Sequence, residues 1–329
     1  MLQLAKEIVA GRRLTAEDNL TRLIIADLSE LCQGADYIRK ELCGNRADLC
    51  SIINGRGGRC SENCKFCAQS AHHSTHCDEY AFLATDEFVA DCMKTAAKGV
   101  DRYSIVTAGR TLKGADLELA IDAYKAMHAA CPDMILCASH GLMTEEDLRR
   151  LKDAGVTMYH TNVETSERYF PEICTTHTYA DKKEEIRRAR AAGLTVCSGG
   201  ILGMGETWQD RIDMALLLAE LEISSIPLNF LIPVKGTPLG DRMRLSTEEI
   251  TRITAVFRYI NPTAYIRIAA GRSYFEDGGE ILFRSGANAT LTGDMLTTVG
   301  NNTAQDREML NRLGFKIKNN NNNKEEIEK

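Results

Sequence analysis

Eight times between residues 47 and 313 the chain alternates a short β-branched run with a longer stretch of helical period, an order that admits few folds. The short runs lie at 48–53, 102–107, 134–139, 157–164, 194–198, 225–231, 264–269 and 287–291, and segments such as 86–98 and 206–221 carry helical spacing between them. Strand, helix and strand repeated eight times predict an α/β fold, a (β/α)8 TIM barrel. The 329 residues, 44% of them hydrophobic, suffice to fill one such domain. Ahead of it, residues 1–45 read as two or three helices capping the barrel's bottom or flank. Thr15-Ala16-Glu17-Asp18 has the form of a capping box, and 19–44 is amphipathic. The domain expectation is a helical extension over 1–45, a barrel over 46–316 and a disordered polar tail over 317–329, where five asparagines precede a charged run.

Cys60-x3-Cys64-x2-Cys67 is the spacing that carries chemistry. Three clustered thiolates can hold a four-iron cluster and leave one iron free, whereas structural zinc takes four protein ligands. His72, His73 and His76 follow closely and could complete a zinc knuckle instead. Twelve cysteines with no secretion signature point to a reducing compartment and metal ligation, so the expected location is cytoplasmic. A net charge of −6 gives no footprint for nucleic acid, and no stretch is apolar enough to span a bilayer.

Strand alternation places an unusual set of residues toward the barrel interior. If Ile266 and Ile268 face the helices, Arg267 faces inward, and the same reading turns Cys137 and Cys197 inward. A buried arginine needs an anionic partner. His160, Asn162 and Glu164 share one side of the fourth strand, and Asn229 lies inward on the sixth. Ser198-Gly199-Gly200 opens a glycine-rich turn that permits close backbone approach to a ligand, and Thr297-Thr298 follow the last strand. Sites in such barrels gather at the carboxyl ends of the strands.

Phe66 between the second and third cysteines makes the loop resemble the radical S-adenosylmethionine superfamily. The longer string Cys64-Lys65-Phe66-Cys67-Ala68-Gln69-Ser70-Ala71-His72 resembles the biotin synthase family. Further matching stretches run from about 54 to 314: Asn162-Val163-Glu164-Thr165-Ser166, Thr175-Thr176-His177-Thr178-Tyr179, Val196-Cys197-Ser198-Gly199-Gly200-Ile201, the segment from Asn229 to Leu239, Ile266-Arg267-Ile268-Ala269-Ala270-Gly271-Arg272 and Leu296-Thr297-Thr298. The resemblance implies that Cys60, Cys64 and Cys67 ligate a 4Fe-4S cluster. It implies that Phe66, Glu164, Gly199 and Gly200 serve S-adenosylmethionine, with Glu164 at its ribose. Asn162 and Asn229 would contact the ureido ring of dethiobiotin, and Thr297 with Thr298 its carboxylate. It further implies a homodimer, an electron donor of flavodoxin or ferredoxin type, and sulfur supplied by an auxiliary iron-sulfur cluster held by three strand cysteines and an arginine.

Cys137, Cys197 and Arg267 match three of those four auxiliary ligands; the fourth position carries Ser104, a poor ligand for soft iron-sulfur chemistry. The expectation is an auxiliary cluster of altered composition instead of the usual 2Fe-2S, with Cys174 as the favoured replacement ligand ahead of Cys77, Cys92 and Cys131 on loop or helix positions. Two other readings stay open: a related radical enzyme of the hydrogenase-cofactor maturase or mutase type, and a non-catalytic iron-sulfur or zinc protein.

Overall fold

The computed structural model describes residues 1–293 and 302–318. Among the described residues nine strands pair in parallel: β1 (Asp48–Arg56), β2 (Arg102–Thr107), β3 (Ile135–Ser139), β4 (Val156–His160), β5 (Thr195–Cys197), β6 (Gly200–Leu202), β7 (Ser225–Phe230), β8 (Tyr265–Ile268) and β9 (Ala289–Leu291). The neighbour order runs β5-β4-β3-β2-β1-β9-β8-β7-β6, and an added pairing between β5 and β7 closes the sheet. Because β5 and β6 are two halves of one stave, the barrel has eight staves.

That break has a local cause. Ser225 accepts from Ser198 N at 3.0 Å, so β7 residues of this parity turn their backbone groups toward the fifth stave. Pro227, of the same parity, has no N–H to give there. The ladder lapses across Ser198-Gly199 and resumes where Gly200 pairs with Leu228. Neither glycine here has room for a side chain: a Cβ on Gly199 would lie 2.0 Å from Pro227 O, and one on Gly200 2.3 Å from Glu164 O.

Helices α1 (Leu2–Val9), α2 (Thr21–Ile25) and α3 (Leu28–Cys43) precede β1. The crossovers are α4 (Thr85–Ala97), α5 (Ala115–Ala130), α6 (Glu145–Asp153), α7 (Tyr179–Ala191), α8 (Trp208–Glu220), α9 (Thr247–Ile260) and the short α10 (Glu280–Phe283), with α11 (Thr303–Arg312) after β9. Strand residues of one parity, among them Leu49, Tyr103, Ile105, Leu136, Ile226, Leu228, Ile266 and Ile268, are fully buried against these helices in one apolar core. Burying each such side chain is worth about 1.5 to 3 kcal/mol. The opposite parity lines the lumen, so the expected faces of β3, β5 and β8 hold.

Two local expectations need correction. Thr15 to Asp18 forms a turn instead of a helix start: Asp18 accepts from Thr15 N at 2.9 Å, but the next helix begins only at Thr21. The amphipathic stretch then breaks at Ala26, and Asp27 caps α3 by accepting from Glu30 N at 3.0 Å. Of these helices α1 packs on α3, while α2 and α3 pack on α9, which puts the extension on the barrel's flank. The fourth strand ends at His160, so Asn162 and Glu164 stand on the irregular segment beyond it. The asparagine tail from residue 319 lies outside the described residues.

Candidate active site

The loop after β1 carries Cys60, Cys64 and Cys67, all half-buried. Cys60 N donates to Gln69 O and Ala71 N to Cys60 O, both at 2.8 Å, which pins the loop's two ends together. A tight turn, Cys67 N to Cys64 O at 3.0 Å, holds the middle. The thiols lie within electrostatic reach of one another: Cys67 feels Cys60, and Cys64 feels Cys67. Burial pushes the Cys67 thiol up to about 11.

Two loop residues passed over in the sequence reading fasten this loop to the segment after β4. Asn63 Oδ1 accepts from Thr175 N at 2.9 Å and Thr176 N at 3.3 Å, and Asn63 N donates to Thr176 Oγ1 at 3.1 Å. The Glu62 carboxylate, buried, accepts from Thr176 Oγ1 at 2.7 Å and pairs with His177 Nδ1 and Arg110. The Thr175-Thr176-His177 motif therefore works as the clasp of the cysteine loop. His72 and His73 serve it as well, their Nε2 atoms 3.1 Å from Ser61 O and 3.0 Å from Cys64 O.

Cys174 joins this mouth cluster, which corrects the expectation that it stands with Cys137 and Cys197. Its Sγ lies 3.7 Å from Cys64 Sγ and 3.3 Å from His177 Nδ1, because the short 3-10 turn Phe170–Glu172 carries it over the mouth. The hydrogen bond from Cys64 foremost, against burial and with help from His177 and Thr176, draws its thiol below the usual range.

Below the mouth lies a lumen cavity of about 280 Å³. Cys137, Cys197 and Arg267 line it as expected, and so does Ser104. Cys50 on β1 joins them. The Cys50 thiol lies within electrostatic reach of Arg267, Cys197 and Cys137, and burial pushes it up to about 11. Nothing in the pattern of the first strand distinguished Cys50 from a small apolar filler.

The anionic partner demanded by Arg267 is Asp48. Its carboxylate takes Arg267 Nη2 in a buried ion pair and accepts from Arg102 Nε at 2.9 Å. Burial alone would raise Asp48; Arg267 and then Arg102 hold it below the usual carboxylate range. The lumen floor is thus an Arg-Asp-Arg triad with a surplus positive charge.

Higher in the cavity stand His160, Asn162, Glu164 and Asn229, with Phe66 over them. Glu164 sits in the left-handed region at φ 70, a strained conformation for its type, fixed by Glu164 N to Gly199 O at 3.1 Å and Ile201 N to Glu164 O at 2.9 Å. Burial raises its carboxyl, which has the Asn162 amide 3.4 Å away. Asn162 Oδ1 accepts from Gly199 N at 3.1 Å, and Asn229 Nδ2 donates to Gly200 O at 3.2 Å. Asn229 Oδ1 also accepts from Ala270 N at 3.4 Å, so backbone bonds orient both amides, and each keeps hydrogen-bonding capacity for a ligand. Phe66 packs against Ile173, Met204 and Leu231. Thr297 and Thr298 lie outside the described residues.

The Radical SAM superfamily profile matches residues 56–218, and that of the Biotin and Thiamin Synthesis associated domain matches 227–316. Biotin synthase of Clostridium beijerinckii is 62% identical over 317 residues, 96% of this chain and 100% of that protein. Biotin synthase of Alkaliphilus metalliredigens is 61% identical over 96% of this chain and 99% of its own length. The chain belongs to the biotin synthase family. Among solved structures, methylornithine synthase superposes with a TM-score of 0.82 at 19% identity, covering 96% of this chain and 98% of that one. The FeFe-hydrogenase maturase HydG from Carboxydothermus hydrogenoformans gives 0.78 at 16%, covering 95% and 78%. These two likenesses concern the barrel fold.

Membership in the biotin synthase family brings a 4Fe-4S cluster, S-adenosylmethionine and an auxiliary cluster. The donors fit. One loop gathers three half-buried thiols in the spacing that would hold the first cluster, and the lumen gathers buried thiols beside Arg102 and Arg267, whose charge Asp48 only partly offsets.

Proposed function

We propose that this chain inserts sulfur into dethiobiotin to form biotin, the last step of biotin formation. The observation that carries this reading is one barrel holding both a three-cysteine loop at its mouth and an inward-facing set of thiols with Arg267 in its lumen, Asn162 and Asn229 between them. When bound, the 4Fe-4S cluster and S-adenosylmethionine supply a 5′-deoxyadenosyl radical, and the auxiliary cluster supplies sulfur.

The side chains' part is placement and exclusion. Cys60, Cys64 and Cys67 hold the first cluster, and the Glu62, Asn63 and Thr176 clasp keeps their loop in register with the barrel rim. The half-buried, strained Glu164 carboxylate accepts from ribose hydroxyls. The asparagine amides match a ureido ring, which offers both N–H donors and a carbonyl. Phe66, packed with Ile173, Met204 and Leu231, closes the mouth against solutes whose weak S–H or C–H bonds would quench a carbon-centred radical. Thr297 and Thr298 take the substrate carboxylate.

The same reading carries three further expectations: a flavodoxin or ferredoxin type electron donor, a homodimer and a cytoplasmic location. No helix among the described residues is long and apolar enough to cross a membrane.

The test is anaerobic. Reconstituted protein given S-adenosylmethionine, a low-potential reductant and dethiobiotin yields 5′-deoxyadenosine and biotin by mass spectrometry. Deoxyadenosine without biotin would overturn the substrate assignment, and neither product would overturn the radical chemistry.

A further inference from the structure

Strand register shows which inward side chains share a height in the barrel. From Cys50 the pairing passes through Arg102 of β2 to Ile135 of β3, and Cys137 is the next inward residue beyond Ile135. Through Met158 of β4, Cys137 leads to Thr195, and Cys197 is the next inward residue. Through Ser225 of β7, Cys197 leads to Tyr265, and Arg267 is next. Through Ala289 of β9, Arg267 leads to Asp48, and the next inward residue is Cys50 again. Four identical steps return to the starting residue, and their summed offset is the shear of eight characteristic of an eight-stave barrel, whose interior is stacked in layers of four side chains from alternate staves. Cys50, Cys137, Cys197 and Arg267 therefore form one complete layer, on staves one, three, five and seven. Ser104, by the same rule, belongs to the layer above with His160, Pro227 and Leu291.

We propose that Cys50 is the third thiolate of the auxiliary cluster, completing with Cys137, Cys197 and Arg267 a ring of four donors at a single depth in the lumen. This rests on the reading of the chain as a sulfur-inserting enzyme. All four residues are buried and line one cavity, and three of the four positions are matched by the family's auxiliary ligands. Ser104 sits one layer higher, on the stave next to Cys50. The thiol absent from β2 is thus supplied by β1, one stave over and one layer deeper. Each thiol gives up its proton on ligation. The resulting negative charge meets the Arg102 guanidinium just beneath, and Asp48 fixes both Arg102 and Arg267 in place. A ring whose thiols all stand at one level, over a floor of Arg102 and Asp48, can seat a cluster deeper than one bridging two layers.

The experiment compares wild type, C50S, C174S and the double variant C50S/S104C after anaerobic reconstitution, by iron and sulfide analysis and Mössbauer spectroscopy. Wild type is expected to hold iron beyond the first cluster. C50S should lose that excess and keep only about four irons, the signature of the Cys60 loop. C174S should retain the wild-type excess, and the double variant should regain part of it, since S104C returns a thiol beside Cys137. Equal iron and sulfide in C50S and wild type would overturn the proposal, as would wild type with no iron beyond the first cluster. Should C50S fail to fold, C50A takes its place and is read the same way: iron and sulfide equal to wild type overturn the assignment. Biotin formation by wild type is measured separately, so a protein that makes biotin while C50S keeps its full metal content refutes the ligand and not the enzyme.

Discussion

His140 shows how much a single buried side chain can tie the barrel to pH. Its ring lies fully enclosed behind β3, Nδ1 3.0 Å from Thr107 Oγ1 and Nε2 3.0 Å from the Tyr124 hydroxyl. Burial, with a smaller contribution from Arg56, draws its pKa down to about 3. A folded pKa below the unfolded one means that the unfolded chain binds the proton first. The stability His140 confers is present above about pH 6.5 and falls as pH drops toward 3, by up to about 1.4 kcal/mol per unit. Denaturant titrations at pH 7 and pH 5 should show a smaller loss for H140Q than for wild type; equal losses would refute the assignment. Glu62 belongs to the same scale. E62Q or T176A should loosen the cysteine loop without unfolding the barrel, seen as a roughly 10-fold faster loss of iron to a chelator with an unchanged melting temperature. Neither residue was legible beforehand, because a glutamate beside a cysteine reads as solvated charge until the histidine it grips, more than a hundred residues away, is brought to it.

The fifth stave makes the case for whole elements. Gly200→Ala should cost about 1 to 3 kcal/mol, since the new methyl would meet both the Glu164 carbonyl and the Met214 sulfur, at 2.3 and 2.6 Å from an ideally placed Cβ. Because the Glu164 backbone would have to yield, the loss should also weaken S-adenosylmethionine binding, measurable by calorimetry on the reconstituted protein. Strands and crossover helices were readable from apolar period alone, since a half-turn period and a 3.6-residue period separate cleanly over these lengths. The break at Ser198-Gly199 was not, because it depends on a missing N–H donor in a different strand. Thr15 to Asp18 misled for a related reason: the side-chain bonds of a capping box also close an isolated turn, and only the presence of a following helix distinguishes them.

At the level of the molecule, closure of the barrel decides which residues meet. Cys137, Cys197 and Arg267 could be turned inward by strand alternation, but their common height with Cys50 follows only from register and shear, which no local pattern carries. The Arg102-Asp48-Arg267 triad is likewise a product of closure, joining the first, second and seventh staves. Asp48→Asn should cost about 3 to 5 kcal/mol by stranding two buried guanidiniums, read as a lower urea midpoint with unchanged slope. A smaller change would show that water reaches the floor.

That floor bears on traffic. With Asp48, Arg102 and Arg267 buried and interlocked at the bottom, whatever enters the lumen comes from the side of the strands' carboxyl ends and leaves the same way. Incoming iron and sulfide, the small substrate and the finished ring compound would then queue at one doorway, so renewal of the sulfur store has to wait until the nucleotide and the product have cleared it.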